Sequence, residues 1–308
     1  MRKLLIKICD HISFFRPLLL IPIWTPALLG FWAGGGSESA RGEGNLLLFA
    51  TFLGAGIYGL NQIYDVKGDK LNSKNLPLSL GYISNFMAWF LAIFAFFSAL
   101  FIAFFVSIPV LIAAIAAVAL GIEYSAPPLR IKDKPYPALI ANALGHGSVM
   151  YIIGALFAHY GMPEPKWDWF LLVRMIPYAI AYGAVYLFTT VPDAAGDKQV
   201  SKVTFAVIFG QRQTMLFALS GVFFAGAFGT IFSEPALFLT AIVSLPFYIA
   251  AIAHSTVEPR LVVRANKVAV LALAVFTFFY FPPFVVPVAL AVTFAWLYNR
   301  KRLGVNYP

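Results

Sequence analysis

Charge is what this chain has least of. Asp, Glu, Lys and Arg make up 11% of its 308 residues, against about a quarter in an ordinary soluble domain. That is too little to cover a water-facing surface. Cysteine is nearly absent too: Cys9 stands alone, which excludes an intrachain disulfide and any multi-cysteine metal site. Acids are scarcer than bases, 13 against 22, for a net charge of +9. In a soluble protein that excess would point to nucleic acid. In a chain that is 61% hydrophobic it points to loops facing anionic headgroups or an anionic substrate, and nucleic acid is not an expected partner. A phosphate-binding glycine loop is also missing. Gly34, Gly35 and Gly36 have neither a flanking strand nor a Lys-Ser/Thr ending, and read as a flexible turn.

What the chain has in quantity is apolar runs of about 20 residues, each enough to cross roughly 30 Å of hydrocarbon. They predict spanning helices at 17–35, 45–64, 84–106, 108–123, 136–158, 170–190, 212–232 and 235–254, with a last apolar stretch at 267–299. That last stretch is too long for one span and is interrupted by Pro282-Pro283, so it is one kinked helix or a tight hairpin. Ahead of the first span, Leu4, Leu5, Ile8, Ile12 and Phe15 recur at helical spacing among Arg2, Lys3 and Lys7. Residues 1–16 are expected to form an amphipathic helix at the interface. Asp10, His11 and Arg16 interrupt the apolar core that a secretory signal would need.

Lysine and arginine orient the bundle. With the N-terminus in the cytoplasm, the inside loops hold Lys67, Lys70, Lys74, Arg130, Lys132, Lys134, Lys198, Lys202, Arg212, Arg260, Arg264 and Lys267. The outside loops hold only Arg41, Lys166 and Arg174. Arg300, Lys301 and Arg302 also favour the cytoplasm, which argues for an even count, ten helices over nine. The long loops are then cytoplasmic, and function is expected at that mouth. The expectation is one all-α, polytopic transmembrane domain over 1–308.

The acidic residues are concentrated. The second predicted helix ends Asn61-Gln-Ile-Tyr-Asp65-Val-Lys-Gly-Asp69-Lys70, and the sixth ends Asp193-Ala-Ala-Gly-Asp197-Lys198. Both contain Asp-x-x-Gly-Asp-Lys. If helical, Asn61, Asp65 and Asp69 share one face about 6 Å apart, as do Asp193 and Asp197. Carboxylate and carboxamide oxygens so spaced are hard ligands suited to Mg²⁺, which takes few carboxylates and completes its shell with water and phosphate oxygens. Two facing boxes would hold two Mg²⁺ ions around a diphosphate. Lys70, Lys74, Lys198 and Lys202 would neutralise the remaining charge.

On these residues the sequence resembles the UbiA superfamily of intramembrane prenyltransferases. Its N-x-x-x-D-x-x-x-D signature is matched by Asn61, Asp65 and Asp69, and its D-x-x-x-D signature by Asp193 and Asp197. Arg16-Pro17 at the first helix and Tyr124-Ser-Ala-Pro-Pro-Leu-Arg130-Ile-Lys132 after the fourth add to the likeness. The resemblance implies Mg²⁺-dependent transfer of a polyprenyl group from its diphosphate to a lipophilic, often aromatic acceptor. It also implies an all-helical bundle in two four-helix halves, here about 17–134 and 135–254, usually counted as nine helices. A tenth helix departs from that count. Many branches follow the first box with Arg-Pro-x-x-Ser-Gly, whereas this chain has Asn75-Leu-Pro77-Leu-Ser79-Leu-Gly81. It is therefore less similar to the hydroxybenzoate, haem and archaeal ether-lipid branches, and closer to the homogentisate type.

Further candidates follow from position. A chamber that excludes water and opens sideways to lipid would shield an allylic cation. Tyr178, Tyr182 and Tyr186 form a stripe leading to Asp193 and could line its path, unless they only pack. Asn142 and His146, one turn apart in the fifth helix, could bind the acceptor or take its proton, or form an interhelical bond. Arg130 and Lys132 would cover the site and grip the diphosphate, or anchor to headgroups. Two other readings stay open: a terpene cyclase of the same superfamily, and a transporter using its intramembrane acids. Nothing in the sequence points to a protein partner. A prokaryotic source would place the chain in the inner membrane.

Overall fold

Without water to satisfy backbone N–H and C=O groups, a segment crossing hydrocarbon must close its hydrogen bonds internally. The computed structural model obeys this with helices alone: it describes residues 2–36, 40–71, 75–159, 168–199, 202–254 and 256–305, and no strand occurs among them. The helices are α1 (Arg2–Phe14), α2 (Pro17–Ala33), α3 (Ala40–Leu71), α4 (Asn85–Val106) and α5 (Ile108–Ser125). Then come α6 (Pro135–Ala158), α7 (Phe170–Gln199), α8 (Gln211–Ile231), α9 (Pro235–Ala253), α10 (Pro259–Phe278) and α11 (Val285–Tyr298). Among the described residues nine helices are long and apolar enough to span a membrane by themselves, and α1 with α2 makes a tenth, bent by 46°. The chain is an integral, multi-pass membrane protein.

The two box-bearing helices are longer than their apolar runs. The first was expected to end near residue 64, yet α3 has 32 residues and continues to Leu71. At about 1.5 Å per residue this overshoots the hydrocarbon, so its last turns carry Asn61 to Lys70 into the polar zone. Charge ends the hydropathy signal but not the helix. Likewise α7 runs through Pro192 to Gln199 instead of stopping near 190.

Connections at one end are minimal. Ser107 alone joins α4 to α5: its N–H reaches Ala103 O, and its hydroxyl accepts from Val110 N. Along α4 the small residues Ala88, Ala92, Ala95, Ala99 and Ala103 are buried, while Phe86, Phe90, Phe97, Phe101 and Phe104 are exposed. Small residues face helix neighbours and large ones face lipid, as close helix packing without a hydrophobic drive requires. Glycines let α2 and α6 cross closely. A Cβ on Gly30 would collide with the Tyr151 carbonyl, and one on Gly154 with the Ala27 carbonyl.

The last apolar stretch is a hairpin. Phe279, Tyr280, Phe281 and the Pro282–Phe284 turn separate α10 from α11. At the turn, the Tyr280 ring lies 4.6 Å from the Trp32 ring at the end of α2. At the other end of α11, the Tyr298 hydroxyl donates to Asp10 Oδ1 of α1 at 2.7 Å. The chain thus returns to the end where it began. The α10 helix starts at Pro259, not near 267, so Arg260 and Arg264 belong to its first turns.

Candidate active site

A cavity of about 280 Å³ opens at the box-bearing end. One end of its wall is polar: Asn61, Asp65 and Asp69 from α3, Asp193 and Asp197 from α7, with Arg16, Lys132 and Lys202. The rest is apolar, from Leu19, Ile23, Leu53, Ile57, Ala117, Leu120 and Met150. Between them lie Tyr58, Tyr124, Asn142, His146, Tyr186, Thr189 and Thr190. Two acidic sequences more than a hundred residues apart therefore share one chamber, because α3 and α7 both overshoot at the same end.

Lysines already answer the acids. The Lys132 ammonium is 2.7 Å from Asp65 Oδ1, and Lys202 Nζ is 3.4 Å from Asp197 Oδ1. Lys132 is only 2% exposed, on the short helical turn Ile131–Asp133. Burial pushes its pKa below the ordinary lysine value, against the pull of Asp65. The loop that carries it folds over the first box through a cis Pro127-Pro128 bond and Arg130 in a left-handed conformation, φ 36°. Arg130 binds Asp133 at 3.0 Å and approaches Asp65 at 3.9 Å. It sits behind the cavity wall rather than on it.

A π-helical stretch, Ala143–Val149, interrupts α6. Such widened turns displace side chains and recur at functional sites. Here His146 is carried to the chamber, where its Nε2 is 3.0 Å from the Tyr58 hydroxyl, and that hydroxyl donates to Leu19 O at 3.0 Å. One turn away, Asn142 Nδ2 donates to the Tyr124 hydroxyl at 3.1 Å and to Ala138 O at 2.8 Å.

The tyrosine stripe divides. Tyr186 is on the chamber wall. Tyr182 lies one layer back: its hydroxyl donates to Pro22 O at 2.6 Å, and its ring stacks on His146 at 6.3 Å. Tyr178 does not belong to the site, contrary to expectation. It is fully buried toward the opposite end and donates to Glu234 Oε2 at 2.7 Å. Glu234 also accepts from Tyr151 at 2.7 Å and from Arg174 Nε at 2.6 Å. Two of the lysines expected to neutralise the boxes, Lys70 and Lys198, are exposed and off the cavity wall. Lys74 lies outside the described residues. Tyr58, Thr189 and Thr190 were missed, for single polar residues in an apolar run carry no spacing signal.

The donor set fits magnesium. Among the described residues no three carboxylate, imidazole or thiol groups converge on one point. Each box offers two carboxylates, and the first adds the Asn61 carboxamide. That suits an ion which takes one or two carboxylates and leaves the remaining positions to water and phosphate oxygens.

A family model described as the UbiA prenyltransferase family matches residues 23–267. A homogentisate phytyltransferase from Synechocystis is 27% identical over 230 residues, covering 70% of this chain and 73% of that protein. A 2-acyl-4-prenylphloroglucinol 6-prenyltransferase from Humulus lupulus is 29% identical over 196 residues, 59% of this chain and 46% of the relative. The chain spans about half the length of the hop relative and of a similar rice protein. A UbiA homologue from Archaeoglobus fulgidus, solved with GPP and Mg²⁺, shares the fold with a TM-score of 0.70 at 19% identity, over 89% of this chain and 99% of that one. By its sequence signatures, its matched span and its fold, the chain belongs to the UbiA prenyltransferase family.

Proposed function

We propose that this protein transfers a polyprenyl group from a prenyl diphosphate to a lipophilic aromatic acceptor. The observation that carries the proposal is one chamber with a polar end holding both acidic boxes, Lys132 and Lys202, and an apolar remainder suited to an isoprenoid tail. In this reading Asn61, Asp65 and Asp69 hold one Mg²⁺, and Asp193 and Asp197 a second. Magnesium bound there supplies positive charge that offsets the charge growing on a departing diphosphate.

The remaining work falls to the chain. Lys132, Lys202 and Arg16 hold the diphosphate oxygens as the allylic C–O bond breaks and its electron pair leaves with them. The apolar wall keeps water from the allylic cation. The Tyr124 and Tyr186 rings stabilise that cation, by about 0.5–2 kcal/mol each. The acceptor's nucleophilic carbon or oxygen attacks the cation, and His146, steadied by Tyr58, takes the proton released.

Homogentisate and phloroglucinol, in the names of the two relatives, are both phenolic rings, which supports an electron-rich aromatic acceptor of the quinone or tocopherol type. Lysine and arginine bias supports a cytoplasmic mouth. Reconstituted protein given phytyl or geranylgeranyl diphosphate with homogentisate tests the reading by product mass. A prenylated ring supports it. A cyclised hydrocarbon from the donor alone would replace transfer by cyclisation, and no consumption of any donor would reject both.

A further inference from the structure

Outside the segment matched by the family model, residues near the two ends of the chain meet around one buried carboxylate. Asp10 of α1 is 2% exposed. It accepts from Tyr298 at 2.7 Å and from both Nε and Nη2 of Arg302, each at 3.0 Å. The two-pronged Arg–carboxylate contact fixes orientation as well as distance. The same guanidinium lies 3.8 Å from the centre of the Tyr82 ring, in the loop that follows the first acidic box. One side chain near the C-terminus thus ties together α1, α11 and that loop.

The knot bears on Arg16. Between Asp10 and Arg16, Phe14 is fully buried in a cluster with Leu78, Ile83 and Ala88, and its carbonyl accepts from Gln62 Nε2, next to Asn61. Arg16 then turns the chain from α1 into α2 with φ 52°, a left-handed conformation that a non-glycine residue holds only when its surroundings impose it. Its residue lines the polar end of the chamber. The supports of this corner are Gln62, the Phe14 cluster and the Asp10 knot.

We propose that Arg302 is a positioning residue: by clamping Asp10 and Tyr82 it holds the α1–α2 corner so that Arg16 faces the diphosphate end of the chamber. This rests on the chamber's assignment as a prenyl diphosphate site. It gives α11 a role, to deliver Arg302, just past its end, to where α1 lies.

The test uses the full chain in lipid nanodiscs and its own thiol. Cys9, beside Asp10 and partly buried, reports the docking of α1 through its rate of maleimide labelling. Inorganic diphosphate with Mg²⁺, titrated by calorimetry, reports the polar end without any turnover. In Arg302→Ala, Cys9 should label faster and diphosphate should bind about tenfold more weakly, as misplacement of a gripping residue implies. Arg302→Lys, which keeps charge without the fork, should fall between on both readouts. With substrates, KM for the donor should rise while KM for the acceptor does not. Faster labelling with unchanged diphosphate affinity would reduce the knot to a structural tie and overturn the proposal, as would unchanged labelling. Wild-type protein that binds no diphosphate would contradict the chamber's assignment and the proposal with it, whereas normal wild-type binding unaffected by Arg302→Ala contradicts the proposal alone.

Discussion

Lys132 Nζ lies 2.7 Å from Asp65 Oδ1, so the loop after α5 closes directly over the acidic box at the end of α3. In the proposed reaction the ammonium that balances Asp65 also holds the diphosphate. Lys132→Met should therefore lower kcat/KM by about 10²-fold, the usual loss when one group that stabilises developing charge is removed. Steady-state kinetics on protein with an unaltered melting curve would check it.

Ligand should stabilise the fold. Binding at about 100 times Kd adds roughly 2.7 kcal/mol to the folded state, which corresponds to about 5 °C in Tm for a chain of this size. Mg²⁺ plus diphosphate should give that rise, and either one alone a smaller one. Asp65→Asn with Asp193→Asn should abolish the rise. Scanning fluorimetry in detergent measures it.

Two tyrosines on one helix should behave differently. Tyr186→Ala removes a ring from the chamber wall and should cut kcat about tenfold, consistent with a cation–ring contribution of about 1–2 kcal/mol. Tyr178→Phe leaves Glu234 short of a donor, which should cost about 1–3 kcal/mol of stability with kcat retained. Paired kinetics and melting curves on both variants separate the two.

The buried pair of Arg174 and Glu234, at the end opposite the chamber, should matter for stability alone. Removing one partner strands the other in a poorly solvated place, at a cost of about 3–5 kcal/mol. Arg174→Met should lower Tm sharply, and the surviving folded protein should keep the wild-type KM for donor. A changed donor KM would mean that this end communicates with the site.

Much of this arrangement was legible in the sequence, for reasons that also explain the failures. The boxes could be read because Asp65 and Asp69, like Asp193 and Asp197, sit at i,i+4 spacing, which survives wherever the helix ends. The helix ends themselves could not be read, since α3 and α7 continue past the point where apolarity stops. The same i,i+4 logic put Tyr178, Tyr182 and Tyr186 on one face. But that face runs the height of the bundle, and Glu234 from the loop before α9 claims the far end. Pro282-Pro283 announced a break, and only packing of Tyr280 on Trp32 and Tyr298 on Asp10 made it a hairpin. Asp10 read only as one of the residues that interrupt the apolar core of a secretory signal; its partners, Tyr298 and Arg302, lie almost a chain length away.

The most direct measurement is release of diphosphate from geranylgeranyl diphosphate, with homogentisate present, by wild-type protein and by Asp65→Asn and Asp193→Asn. Release should stop on EDTA treatment and return with Mg²⁺, and each variant should lose at least about 10²-fold. Release indifferent to EDTA, or wild-type rates in both variants, would contradict the proposed function.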